Sequence, residues 1–212
     1  MNQSKQVNVS LGTRCTLACS KCRRTMFEVA GIPIDGGDLP FEDFKKLASH
    51  FDDLIMCGGV GDPVFHPQFI EMLKYAKENG NRISVSNAAS HRPAHWYMDA
   101  FRANLEATWI FGIDGLPVNS HKYRTNQDGV KLFEMAQLAR GMGITTVWQF
   151  IIFKYNENDI EAAERLAKHY GIEFKLWKSD RWDNMQDPLL PTNKEHYNIG
   201  RRKRPAHFVG EL

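Results

Sequence analysis

Short apolar runs alternate with longer amphipathic segments along most of the chain. Such short runs are typical of buried β-strands. The predicted strands are 6–11, 53–57, 82–87, 107–113, 145–153 and 172–177. Apolar residues at spacings of three and four predict amphipathic helices that include 41–51, 69–76, 96–105, 130–138 and 160–167. Strands that alternate with helices predict an α/β fold with parallel strands, arranged as a partial (β/α)6 barrel.

The composition indicates one globular domain. The chain has 212 residues, of which 42% are hydrophobic and 25% are charged, which suffices for a substantial core. No apolar stretch approaches the roughly 18 residues of a membrane-spanning helix, and the polar start is unlike a signal peptide. Four cysteines, three of them clustered, fit a reducing compartment. We therefore expect a cytoplasmic protein without a membrane partner.

Charge and pattern both change toward the C-terminus. The net charge of +2 is too small to indicate a nucleic-acid partner, but RRKR at 201–204 concentrates four positive charges. The regular pattern of strands and helices ends after Trp182, where a polar stretch with prolines begins. We expect a core domain at 1–182 and a basic, partly ordered extension at 183–212.

The cysteines are the first candidate for chemistry. The stretch CTLACSKC places Cys15, Cys19 and Cys22 after the first predicted strand, and Cys57 is the only other cysteine. A closed structural zinc site needs four ligands, and a disulfide framework needs an even number of cysteines. Three clustered thiolates indicate instead a metal centre with one coordination position left free. Cys57 lies in the apolar run of the second strand, which predicts a small buried apolar residue.

Other unusual residues follow the later strands. The turn GGVGDP at 58–63 follows the second strand, Asn87 closes the third, and the fourth runs into Asp114. In parallel α/β sheets the ligand site lies at the carboxyl ends of the strands. Glycines let the backbone approach a ligand closely, and backbone carbonyl groups accept hydrogen bonds from an ammonium group. We expect the cysteines and these strand ends to form one site.

The cysteine spacing and the glycine-rich turn together resemble a known superfamily. C-x-x-x-C-x-x-C after a first strand, with a glycine-rich turn after the second in a run of six βα units, resembles the radical S-adenosylmethionine (SAM) enzymes. The stretch GIDGLPVNSHKYRTNQDG is similar to their peptide-modifying and molybdopterin-type branch. The resemblance implies a radical SAM core fold, a [4Fe–4S] cluster on Cys15, Cys19 and Cys22, and SAM bound to the fourth iron.

The resemblance also implies a reaction. SAM would be cleaved reductively to methionine and a 5′-deoxyadenosyl radical, which abstracts hydrogen from a substrate. An electron donor such as flavodoxin or ferredoxin would be a partner.

Contacts with SAM follow from the same resemblance. The glycine-rich turn would meet its amino group, polar strand ends its ribose and methionine parts, and Arg124 its carboxylate. Gln149, an amide in an apolar strand, is expected to face a polar cavity. The predicted cofactor-binding residues are Gly58, Gly59, Gly61, Asp62, Ser86, Asn87, Asp114, Arg124 and Gln149. No catalytic residue is assigned.

Two positions depart from the family pattern. Asp62 stands where the family usually has Glu, and Lys21 stands where the residue before the third cysteine is commonly aromatic. No cysteine follows Cys57, so the sequence offers no ligands for auxiliary clusters.

Three functions stay open. A peptide side chain is the first substrate hypothesis because of the branch, with a small molecule as another substrate class. A nucleotide or nucleic acid is the alternative substrate, favoured only by the basic cluster at 201–204. A different class is a non-catalytic zinc-binding nucleic-acid module with Cys57 or a histidine as the fourth ligand, which leaves the glycine-rich turn unexplained.

Overall fold

The computed structural model describes residues 4–198. Within this range the elements are β1 (Gln6–Val9), α1 (Arg23–Val29), α2 (Phe41–His50), β2 (Asp53–Met56), α3 (Phe69–Glu78), β3 (Arg82–Asn87), α4 (Ala94–Ala103), β4 (Thr108–Gly112), α5 (Gly129–Gly141), β5 (Thr146–Ile152), α6 (Ile160–His169) and β6 (Glu173–Lys178). Short 3₁₀ turns lie at Pro63–Phe65, Pro117–Lys122 and Lys194–His196. None of the described helices is long and apolar enough to cross a membrane.

The strands form one parallel sheet. Their order is β1-β2-β3-β4-β5-β6, so every strand lies beside its neighbour in sequence. Right-handed crossovers between sequential parallel strands place the connecting helices on the same face of the sheet. In the described part of the chain β1 and β6 do not pair with each other, so the sheet is open. The prediction of an α/β fold with parallel strands is confirmed.

The two faces of the sheet differ in burial. One face carries rows of fully buried apolar side chains, such as Met56, Val85 and Trp109 in register across three strands. The other, which we call the inner face, is only half-buried and more polar. Its side chains near the middle of the sheet are those of Ile55, Ser84, Ser86, Ile110, Gln149 and Ile151.

Aromatic side chains fill the core between sheet and helices. The ring of Trp109 on β4 stands perpendicular to Phe101 of α4, with 4.8 Å between centroids. Trp148 on β5 packs against Phe133 of α5 at 5.0 Å, and its indole N–H donates to the Ile113 carbonyl oxygen. These contacts fix the helices on one face and leave the inner face for a ligand.

Two local expectations differ from the structure. Cys57 follows β2 and is exposed, so the prediction of a buried apolar residue is wrong. The strand ends at Met56, and the side chain therefore does not enter the core. Helix α1 was not predicted, because it buries none of its residues and so lacks the apolar stripe that identifies a helix.

A pair of tryptophans tests the assignment of the two faces. Trp109 is 0% exposed and Trp177 on β6 is 47% exposed. Trp109→Ala should lower the free energy of unfolding by about 3–5 kcal/mol, because it opens a cavity in the core. Trp177→Ala should change it by no more than about 0.5 kcal/mol. Urea unfolding of both variants measures the difference, and equal losses would contradict the assignment.

Candidate functional site

The cysteine loop, residues 10–22, connects β1 to α1 at the carboxyl edge of the sheet. Cys19 is buried, while Cys15 and Cys22 are half-buried, and all three thiols are free. Cys22 is the N-cap residue of α1, its backbone N–H donating to the Cys19 carbonyl oxygen at 2.9 Å and its carbonyl accepting from Met26. The loop thus carries three thiols between β1 and α1.

Burial makes the protonated thiols favourable when no cation is bound. It raises the pKa of Cys15 to about 12, and the nearby Asp62 carboxylate acts in the same direction. Burial also raises the pKa of Cys19, while the Arg124 charge opposes this shift. Metal ligation supplies the positive charge that a buried thiolate needs. Sulfur donors on one loop are the ligands that iron–sulfur clusters use, so the donor set fits such a cluster.

A single zinc ion sets a strict distance requirement on its ligands. Zinc holds thiolates at about 2.3 Å, so its ligands must converge on one point. Within residues 4–198, no three His, Cys, Asp or Glu side chains are grouped closely enough to hold one metal ion.

The glycine-rich turn packs directly on the cysteine loop. A Cβ atom on Gly61 would lie 2.3 Å from the Gly12 carbonyl oxygen, and one on Gly58 would lie 1.4 Å from the Gly61 oxygen. The Asp62 backbone N–H donates to the Arg14 carbonyl oxygen at 2.8 Å. In contrast, no atom of the described chain beyond its direct neighbours lies within 4 Å of the Cβ position of Gly59. Gly58 and Gly61 are therefore required by contacts between backbones.

The Asp62 carboxylate joins this turn to the end of β3. One carboxylate oxygen accepts from the backbone N–H groups of Ala88 at 2.8 Å and Ala89 at 3.0 Å. The other accepts from the backbone N–H of Val64 at 3.3 Å. Burial raises the pKa of Asp62, whereas the three N–H donors act in the opposite direction. Asp62 is thus a structural link between the loops that follow β1, β2 and β3.

Ser86 and Asn87 face opposite sides of the sheet. Ser86 lies on the inner face and is half-buried. Asn87 is buried on the helix side, where its Nδ2 donates to the Tyr97 hydroxyl of α4 at 2.7 Å. The Asn87 Oδ1 is buried and has no hydrogen-bond partner among residues 4–198. The structure therefore brings Ser86, and not the Asn87 amide, toward the inner face.

Asp114 and Arg124 form a buried ion pair. The Arg124 Nε lies 2.8 Å from Asp114 Oδ2, and their side chains are 12% and 0% exposed. The contact is a close charge pair, since its direction is off that of a well-aligned hydrogen bond. The other Asp114 carboxylate oxygen accepts from the Ile151 backbone N–H at 2.8 Å. Burial raises the pKa of Asp114, and the Arg124 charge opposes this.

Arg124 also depends on a glycine. A Cβ atom on Gly112, at the end of β4, would lie 2.8 Å from the Arg124 guanidinium. Gln149 of β5 pairs in register with Gly112 on the half-buried inner face. The predicted residues Asp114 and Arg124 thus pair beside the end of β4, and Gln149 lies next to that strand end on β5.

Gln127 is a buried residue that sequence reasoning missed. Its Nε2 donates to the Ala88 carbonyl oxygen at 2.6 Å and to the Gly112 oxygen at 2.9 Å, which joins the ends of β3 and β4. The neighbouring Thr125 carbonyl accepts from the Ala18 backbone N–H of the cysteine loop at 3.1 Å. No periodic pattern surrounds Gln127, so the sequence carries no signal for this role.

The described part of the predicted extension lies close to the cysteine loop. The Lys21 Nζ contacts Asp183 at 2.6 Å and Asp187 at 2.5 Å. The division of the chain at residue 182 stays a prediction, and the basic cluster at 201–204 lies outside the described residues.

Known proteins share this fold. No protein-family model matches the chain. The tungsten-containing aldehyde ferredoxin oxidoreductase cofactor-modifying protein of Pyrococcus furiosus is 30% identical over 87 residues, which is 39% of this chain and 23% of that protein. Streptococcus suis SuiB, solved with bound S-adenosylmethionine, superposes with a TM-score of 0.69 at 11% identity, covering 90% of this chain and 44% of SuiB.

A second solved structure, anSMEcpe with bound AdoMet, gives a TM-score of 0.62 at 11% identity and covers 81% of this chain and 50% of that chain. These structural neighbours are radical SAM enzymes. The chain therefore shares the fold of these enzymes, which confirms the fold implied by the cysteine spacing and the glycine-rich turn. It spans half or less of the length of each of these proteins.

Two glycines of the turn give a matched test of the loop contact. Gly61→Ala should push the turn away from the cysteine loop, because its Cβ would overlap the Gly12 carbonyl group. We expect a loss of about 1–3 kcal/mol in the free energy of unfolding. Gly59→Ala, with open space at its Cβ position, should be nearly neutral. Chemical denaturation of both variants decides the matter, and equal stabilities would show that the contact is not needed.

Proposed function

We propose that the chain is a radical SAM enzyme that binds a [4Fe–4S] cluster through Cys15, Cys19 and Cys22 and leaves one iron for SAM. The observation that carries the proposal is the set of three free thiols on one loop at the carboxyl edge of a radical SAM fold. When bound, the cluster would supply the electron that cleaves SAM to methionine and a 5′-deoxyadenosyl radical.

The residues of the chain would bind and shield the cosubstrate. We propose that backbone groups of Gly58, Gly59 and Gly61 meet the SAM amino group, and that Ser86 and Gln149 contact SAM from the inner face. Asp62 and Asn87 would act through the loops and helices they hold, since the Asp62 carboxylate accepts from backbone N–H groups and the Asn87 Nδ2 donates to Tyr97. The apolar members of the inner face would keep water away from the radical.

Asp114 and Arg124 have a different proposed role. Their buried ion pair supports a role in orienting the carboxyl edge of the sheet beside Cys19, because the charges of Arg124 and Asp114 both affect the pKa of that thiol. Arg124 would reach the SAM carboxylate from this fixed position. A planar guanidinium has further N–H donors for a carboxylate beyond the Nε that faces Asp114.

We propose that the substrate is a peptide side chain and that the reaction is of the oxidoreductase type. Two structural neighbours support this, because SuiB was solved with its precursor peptide SuiA and anSMEcpe with a bound peptide. Flavodoxin or ferredoxin is the proposed electron donor. The cytoplasm is the proposed location, since free thiol ligands persist in a reducing compartment.

Iron analysis tests the ligand assignment. Protein reconstituted without oxygen should hold about four irons per chain, because three clustered thiolates support one cluster. Replacement of Cys15, Cys19 or Cys22 by Ala should abolish the bound iron and its visible absorbance. Cys57→Ala is the control, since this thiol is exposed and outside the cysteine loop. Loss of iron in the control as well would overturn the assignment.

A pair of serines on one strand tests the SAM site. Ser84 and Ser86 share the inner face of β3, and Ser86 lies nearer the carboxyl end. Ser86→Ala should weaken SAM binding about 3- to 10-fold, the effect of one lost hydrogen bond, while Ser84→Ala should leave affinity unchanged. Equilibrium binding of SAM to iron-loaded protein, with iron content as a check, measures both. Equal affinities in the two variants would contradict a SAM contact at Ser86.

A further inference from the structure

Residues 179–198, which we call the strap, fold back over the carboxyl edge of the sheet. The Asn198 backbone N–H donates to the Ser179 carbonyl oxygen at 3.0 Å, so the two ends of the strap meet. Its side chains Asp187, Leu190 and Tyr197 are all less than 9% exposed. The strap is therefore a packed part of the structure.

The strap is anchored beside β5. The Lys154 backbone N–H, just after β5, donates to the Leu189 carbonyl oxygen at 2.9 Å. The Glu157 carboxylate accepts from the backbone N–H groups of Thr192 and Asn193 at 3.0 and 3.2 Å. These contacts hold one side of the strap on the segment that follows β5.

The other side of the strap reaches the cysteine loop through Lys21. The Lys21 Nζ is 2.5 Å from Asp187 Oδ2, and the two side chains are 14% and 0% exposed. Asp187 is itself held, because its carboxylate accepts from the backbone N–H groups of Asp183 and Leu189 at 3.0 Å each. A charge pair that is shielded in this way loses its contacts with bulk water and is held in one geometry.

The Lys21–Asp187 ion pair joins the two segments that follow the edge strands of the sheet. Lys21 belongs to the loop after β1, and Asp187 belongs to the segment after β6. These are the two edge strands, which do not pair within the described residues. The Lys21–Asp187 pair therefore bridges the open side of the sheet at its carboxyl end, and Lys21 lies between Cys19 and Cys22 in sequence.

We propose that Lys21 is a positioning residue that fixes the cysteine loop by clamping it to Asp187 of the strap. This rests on the proposed function in taking that loop as the cluster-binding loop. The clamp replaces the hydrogen bonds that strand pairing would supply in a closed barrel. Lys21 serves here in place of the aromatic residue that the family commonly has before the third cysteine.

Thiol labelling of the metal-free protein tests the clamp. N-ethylmaleimide is added, and the labelling rate of each cysteine is followed by peptide mass spectrometry. Lys21→Met removes the charge, and Asp187→Asn removes the buried one of its two carboxylate partners and leaves Asp183. Lys21→Met should raise the labelling rates of Cys19 and Cys22 about 5- to 10-fold, because the loop is released from the strap. Asp187→Asn should raise them by a smaller factor, because Asp183 still pairs with Lys21. The double variant should label no faster than Lys21→Met alone.

Three controls make the result specific. Lys21→Arg keeps the positive charge and should label at nearly the rate of the unmodified protein. Lys46→Met removes a surface Lys–Asp ion pair of α2, 77% and 49% exposed, and should have no effect. The exposed Cys57 should label at one rate in every variant.

The proposal is overturned if Lys21→Met labels at the unmodified rate, if Lys21→Arg labels as fast as Lys21→Met, or if Cys57 accelerates with the others. The last result would mean general loosening of the fold. Because the readout needs no iron, failure of the clamp and failure of the proposed function are distinguishable. A protein that binds no iron but shows the predicted rates would retain the clamp and lose the function.

Discussion

The carboxylate of Asp62 holds together the loops at the carboxyl edge of the sheet, which we call the rim. It accepts hydrogen bonds from backbone N–H groups at the end of β3 and in its own turn. The backbone N–H of Asp62 donates to the cysteine loop. A buried carboxylate is costly unless every oxygen has a donor, and here the donors come from the chain itself. The two glycines beside it allow this contact by bringing bare backbones together. The cysteine loop therefore cannot move independently of the strands behind it.

Other polar contacts link the remaining strand ends around the rim. Gln127 joins β3 to β4, Asp114 joins β4 to β5, and Thr125 returns to the cysteine loop. Lys21 and Asp187 then bridge the side where the sheet is open. Apolar packing on the helix face gives the fold its stability, whereas these polar links give the rim its geometry. A site that must hold a cluster and a cosubstrate in contact needs such preorganisation.

The repeating parts of the structure could be predicted from the sequence, and the long-range pairs could not. Strands β2 to β6 appear within one residue of their predicted bounds. For β2 to β5 the reason is that buried strands need apolar runs, whereas β6 is mostly exposed. Cys57 was misjudged because the apolar run extends one residue past the strand. Ser86 and Asn87 are both polar residues at the end of a strand, and only the pleat of the strand determines which of them points to the inner face. Gln127 and the Lys21–Asp187 pair join residues distant in sequence, which no local pattern encodes.

The central claim is that the three cysteines leave one iron of a cluster open to SAM. Electron paramagnetic resonance of the reduced, iron-loaded protein, recorded with and without SAM, tests this claim most directly. Binding of SAM to the open iron predicts a shifted signal, and the shift should persist in the Cys57→Ala variant. A spectrum that is the same with and without saturating SAM would contradict the account.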